Sequence, residues 1–280
     1  MTTRRTFIKT MTAATALSMV SPTELFAMKK KKYIGIQLYT IRESIKKDFV
    51  GTMMKVADIG FNSVETAGYH KRKFYGYSPK DFRVFTKDLG LQALSSHANI
   101  ELKTIQETID DTLEAGMEYL VKPWLDSSKF QTIDAYKNLA EEFNIIGEKC
   151  NASGLRFAYH NHAFEFKEIE GQLPYDVLLT NTEPDLMCMQ LDTYWMIYGG
   201  YQPLDYFKKY PGRFELFHIK DMDDTPKRES TEIGQGIIDF HEIFEAQKLS
   251  GMKYFFLEQE AFKMDEFKSL AISFDYLKTL

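Results

Sequence analysis

Cysteine is almost missing from this chain: 280 residues contain two, Cys150 and Cys188. Each sits in an apolar neighbourhood, and a cysteine-based zinc site needs more ligands at closer spacing, so both are expected as buried free thiols. Basic clusters are scarce too. Beyond Lys29–Lys32 no dense Lys/Arg stripe appears, and the net charge is −5. Binding to a phosphate backbone therefore has little electrostatic support. No Gly/Ser-rich or Pro-rich linker interrupts the chain, so nothing marks a second domain. Nucleotide loops are absent as well: no G-x-G-x-x-G or G-x-x-x-x-G-K-S/T follows any expected strand, which weighs against an open doubly wound sheet. Gly234-Gln235-Gly236 is too short to count as one.

What is present is a globular composition, 44% hydrophobic and 27% charged. Residues 1–27 read as a leader and stand outside the fold argument. Thr3-Arg4-Arg5-Thr6-Phe7-Ile8-Lys9 resembles the twin-arginine export motif, and a modestly apolar stretch, Met11 to Val20, follows it. That stretch is too short for a permanent membrane span. The expectation is a twin-arginine-type signal peptide over 1–27, a periplasmic protein, and one domain over 28–280. The remaining length, about 250 residues, is typical of a single (β/α)₈ barrel.

From Tyr33 onward a β-rich apolar run alternates with an amphipathic helical stretch. The expected strands are Tyr33–Leu38, Ser63–Glu65, Gln92–Ser96, Tyr119–Lys122, Arg156–His160, Met187–Leu191, Phe214–Ile219 and Tyr254–Leu257. Between them, Asp48 to Ile59 and Ile133 to Cys150 carry apolar residues at helical spacing, with Gly60 and Gly154 as stops. Eight β/α units without a linker predict an α/β fold, a closed (β/α)₈ TIM barrel.

In such a barrel the reactive groups sit at the C-terminal ends of the strands. Polar residues collect at those ends here: Gln37 and Tyr39, Glu65, His97, Lys122, then Tyr159-His160-Asn161-His162 with Glu165. Gln190 and Asp192, His218 and Lys220, and Glu258 with Glu260 complete the ring. Polar groups converging on a pore are costly unless used. Glu165, Asp192, His218 and Glu258 would bring three carboxylates and an imidazole from four neighbouring strands. Without a cation the carboxylates would repel, so the set predicts one divalent metal ion, Mn, Co, Zn or Mg. His160 and His162 lie two apart on one strand, point the same way, and suit a general acid or base. Tyr39, His97, Lys122, Trp195 and Lys220 are candidate substrate contacts, while His70 and His241 are expected at the surface.

Leu191-Asp192-Thr193, His218-Ile219-Lys220-Asp221, Leu257-Glu258 and Gly234-Gln235-Gly236 with Ile238-Asp239-Phe240 carry a family likeness. From Tyr33 to Leu280 the chain resembles the xylose-isomerase-like TIM-barrel superfamily of sugar isomerases and epimerases, in a branch with Tyr-His-Asn-His on strand five. The resemblance implies that Glu165, Asp192, His218 and Glu258 hold one divalent cation, with His160 or His162 as the alternative donor from strand five. It implies Glu165 and Glu258 as base carboxylates on opposite faces of the substrate, and a metal-stabilised enediolate. Nucleases of the superfamily carry a further His where this chain has Trp195, so nucleic acid is not the expected partner. The expected substrate is an unphosphorylated sugar or keto-sugar, and the expected activity a sugar isomerase or epimerase. A lyase acting on 3-keto-glycosides uses the same parts, and a non-catalytic exported sugar-binding barrel is the reading from another class. Oligomeric state stays open.

Overall fold

A computed structural model describes residues 32–280; the export signal expected over 1–27 lies outside the described residues. Tyr33–Leu280 form one unit, a closed barrel of eight parallel strands. These are β1 (Gly35–Gln37), β2 (Ser63–Thr66), β3 (Gln92–His97), β4 (Tyr119–Lys122), β5 (Arg156–His160), β6 (Met187–Asp192), β7 (Phe214–Ile219) and β8 (Tyr254–Leu257). Each pairs with its sequence neighbour, and β8 returns to β1 with Gly35 opposite Phe256. All eight expected strands are present, differing only in a residue or two at their ends.

The helices start and stop where their local chemistry dictates. Asp48 accepts the Gly51 N–H to cap Phe49–Ile59, and Gly60, at φ 116°, ends it in a conformation that costs glycine little. Thr132 caps the long helix Ile133–Ala152, which buries Leu139, Phe143 and Ile146 on the face that the spacing selects.

Strand alternation divides the core in two. Ile36, Val64, Leu120, Phe157, Tyr159, Leu191, Phe217 and Leu257 face the helices. Leu94, Tyr119, Val121, Ala158, Cys188, Leu216 and Phe256 fill the barrel. Gly35 is required by space: a Cβ there would stand 2.4 Å from the Phe256 ring. At the N-terminal end the Tyr119 hydroxyl donates to Glu215, which also pairs with Arg156 and Lys253. That end is plugged, which leaves the opposite end for chemistry.

Two bulges aim the residues there. The register slips between Val64 and Glu65, so that Glu65 faces Ser95, and between Met189 and Gln190, so that Asp192 faces His218. The extra residues are Leu94 on β3 and Glu215 on β7. Without the second, the β7 alternation would turn His218 out toward the helices.

Candidate active site

The last inward residues of β5, β6 and β7 are His160, Asp192 and His218, and Glu258 follows β8. Donor atoms of these four buried side chains lie within 4.8 Å of one another. His218 Nδ1 is 3.1 Å from Glu258 Oε2 and 4.0 Å from Asp192 Oδ2. Asp192 Oδ1 accepts the Trp195 N–H and so caps the helix Thr193–Tyr198. Asp192 Oδ2 and His160 Nδ1 are buried and have no hydrogen-bond partner. Leaving such atoms dry and unpaired costs free energy that a cation would recover. The charges agree. Buried Glu65, Asp192 and Glu258 crowd three carboxylates around one buried ammonium, Lys220, an excess of acceptors that a cation would offset. The donor set therefore fits a single divalent cation of the kind that takes mixed N and O ligands.

Electrostatics inside the cluster point the same way. Burial disfavours the charged His218 ring, but the Glu258 and Glu65 carboxylates outweigh it and raise its pKa to about 10. Burial pushes the Asp192 carboxyl up to about 7 against the pull of Lys220. Glu258 resists the same burial, because Lys220 and His218 hold it well below the usual carboxylate range. Burial and the neighbouring His218 ring keep His160 neutral, and burial lowers His162 to about 4. The negative field that loads a proton onto His218 is the field that a cation would enter.

Glu165 stands apart from this cluster and corrects the ligand set expected from the sequence. It lies five residues beyond His160, in the turn Phe164–Phe166, where the chain has passed the barrel rim and folds back toward the helices. There the Tyr159 hydroxyl and the His162 N–H donate to its carboxylate. Tyr159 belongs to the layer between barrel and helices, so Glu165 is buried behind the wall, and that burial raises its pKa to about 8. His160, the alternative donor on this strand, stands with the other three.

Above the cluster opens a cleft of about 490 Å³ lined by Tyr39, Tyr69, His97, Trp124, His160, His162, Trp195, Glu258 and Glu260 among others. Tyr39, His97 and Trp195 are thus on its wall. His162 sits against the rings of Phe164 and Trp195 with its Nδ1 buried and unpartnered. Lys220 is placed differently from expectation. Its ammonium lies behind the wall, bonded to Glu260, 3.6 Å from Glu258 and over the Trp195 ring, so it steadies carboxylates rather than lining the cleft. Lys122 departs further. Val121 faces the barrel, so the next residue faces outward, where Glu142 and Glu101 are its charged neighbours and burial lowers its pKa. Both cysteines are buried and free, and His70 and His241 are exposed.

Gly234-Gln235-Gly236 has a structural task. Asp221 accepts N–H groups from Met222, Gly234, Gly236 and Ile238, folding the loop after β7 over the barrel end. A Cβ on Gly236 would meet Met222 O at 2.2 Å. The sequence left Glu65, Gln37 and Gln190 without roles. They form a polar layer one step deeper than the donor cluster, and strand-end position alone does not separate the two layers.

The family described as xylose isomerase-like TIM barrel matches residues 54–280. An inosose dehydratase of Lacticaseibacillus casei is 28% identical over 158 residues, which cover 49% of this chain and 52% of that protein. The alignment thus spans about half the length of this relative. A crystal structure of a sugar phosphate isomerase/epimerase from Parabacteroides distasonis ATCC 8503 superposes with a TM-score of 0.79 at 28% identity, covering 89% of this chain and 98% of that one. The crystal structure of the IOLI protein with a zinc atom shares the fold, with a TM-score of 0.64, 14% identity and coverage of 88% and 97%. No helix among the described residues is long and apolar enough to cross a membrane.

Proposed function

The chain belongs to the xylose isomerase-like TIM-barrel family, and from that premise we propose that it is a divalent-metal-dependent lyase that expels water or an alcohol β to the carbonyl of a keto-sugar or keto-cyclitol. One observation carries lyase over epimerase. Epimerisation needs a proton acceptor on each face of one carbon, and the pair expected for this was Glu165 and Glu258. Glu258 lines the cleft but belongs to the donor set, and Glu165 is buried behind the barrel wall against Tyr159, so neither is free to carry the proton. Elimination needs a single group that takes a proton and gives it back.

His162 is the group for that work, an imidazole on the cleft wall that burial keeps neutral and so able to accept a proton. It takes the proton from the carbon beside the carbonyl. The released electron pair becomes the new C=C bond as the C–O bond one carbon further on breaks. The imidazolium returns the proton to the departing oxygen, which leaves as water or an alcohol. His160, Asp192, His218 and Glu258 would hold the cation, which when bound supplies Lewis-acid polarisation of the carbonyl. Lys220 keeps Glu258 ionised, and Tyr39, Trp124 and Trp195 offer rings on which a sugar can lie. The name of the inosose dehydratase relative supports dehydration of a cyclic keto-polyol. The arginine pair Arg4-Arg5 supports a periplasmic location, to be checked by fractionation.

Isomerase or epimerase is the second reading, favoured by the likeness to the Parabacteroides distasonis structure. The test is to incubate metal-loaded protein with keto-inositols and 3-keto-glycosides in D₂O and follow the reaction by NMR. Loss of water or alcohol, abolished by His162→Ala, is the expected result. Deuterium entering the substrate without elimination would make it an epimerase. Ligand binding that survives chelation, with neither reaction, would leave a sugar-binding barrel.

A further inference from the structure

Glu65 on β2 is fully buried, and it accepts more hydrogen bonds than any other carboxylate in the cleft floor. Its Oε1 receives Gln37 Nε2 at 2.6 Å and His218 Nε2 at 2.5 Å, with His97 Nε2 at 3.1 Å. Its Oε2 receives Gln190 Nε2 at 2.7 Å and the Ser95 hydroxyl. Among the described residues, no lysine or arginine pairs with it.

We infer that Glu65 is a positioning residue: it fixes His218 in the tautomer and orientation that present Nδ1 to the divalent cation. The inference rests on the metal reading above. An imidazole has two nitrogens, and a carboxylate bound at one commits the proton to that side. A cation at Nδ1 would displace the proton there while Nε2–H stays with Glu65, so the lone pair is presented by Nδ1, the atom facing Glu258 and Asp192. Glu65 cannot swing away, because Gln37, Gln190 and Ser95 saturate its other lone pairs. Gln37 is itself tied down by the Tyr39 N–H. Both barrel bulges serve this contact, one turning Ser95 to Glu65 and the other turning His218 inward. A carboxylate that only filled space would need none of this.

Co²⁺ binding measured by calorimetry and by visible absorption separates the two roles. Glu65→Gln is expected to bind Co²⁺ about 10–100-fold more weakly, the usual cost of losing a partner behind a metal-bound histidine. Its Co²⁺ spectrum should also change. Glu65→Asp keeps the charge but withdraws it by a methylene, so a smaller loss is expected, and it serves if the Gln variant does not fold. Glu165→Gln, at a fully buried carboxylate outside the donor cluster, should bind like wild type. Variants of Glu65 with wild-type affinity and spectrum would overturn the inference and leave the metal reading standing. Wild-type protein that holds no Co²⁺, Zn²⁺ or Mn²⁺ would overturn both.

Discussion

His160 and Glu165 are five residues apart and end on opposite sides of the barrel wall, so they make a paired test. On the metal reading, wild type should purify with a divalent ion by elemental analysis, His160→Ala and Asp192→Ala without it, and Glu165→Gln with it. Retention in His160→Ala with loss in Glu165→Gln would return Glu165 to the ligand set. Glu165 also makes a pH prediction. Its folded pKa, about 8, lies above that of a free carboxylate, so the native state binds more protons than the unfolded chain between the two values. Stability from this group is therefore full at acid pH and is lost as pH rises toward 8. Glu165→Gln, which mimics the neutral form, should gain on wild type as pH goes from 5 to 8.5, by an amount on the order of 1–3 kcal/mol. Melting curves at the two pH values check it, and a constant difference would mean that Glu165 is ionised throughout.

At the scale of elements, the strands were legible because each is a short β-rich run flanked by helical spacing and glycine stops. What lies beyond the strand ends was not. Glu165 departs from the expected ligand set because nothing in the sequence marks where β5 leaves the wall, and Lys122 departs because strand-end position does not carry the alternation that Val121 sets. The hairpin pairing Tyr69–His70 with Lys73–Phe74 had no signal at all, since its turn residues Lys71 and Arg72 take positive φ, 47° and 60°, where glycine or asparagine is usual. Tertiary contacts hold it instead: Arg72 makes two hydrogen bonds to Asp111, 2.7 and 3.0 Å, and the Tyr69 hydroxyl a third. Because Tyr69 lines the cleft, Arg72→Ala should raise KM several-fold with little change in kcat, as expected when an interaction equal in ground and transition states is lost. A drop in kcat alone would place the hairpin in the chemistry. In the loop after β7, Gly236→Ala should cost about 1–3 kcal/mol, since its Cβ would stand 2.2 Å from Met222 O. Thermal or urea melts read that directly, and an unchanged midpoint would show that the Asp221 loop yields freely.

For the molecule as a whole, the proposed ion would be part of its stability. An ion present at 100 times its Kd stabilises the folded state by about 2.7 kcal/mol. For a domain of this size that corresponds to roughly 5–10 °C, so chelation should lower Tm by that much, and a Tm unmoved by chelator would speak against a resident ion. Whole-molecule topology carries a last consequence. Gly35 finds its partner Phe256 only 221 residues later, counted as 256 minus 35. A ribosome adding about 5–20 residues per second needs roughly 10–45 s to span that interval. Until then β1 has an open edge of unpaired amides and carbonyls, and Glu258 has not been made. On the metal reading, the nascent chain would lack a complete donor set through most of translation. Loading would wait until the barrel closes, and a chaperone that covers the open edge in those seconds should raise the yield of metal-loaded protein.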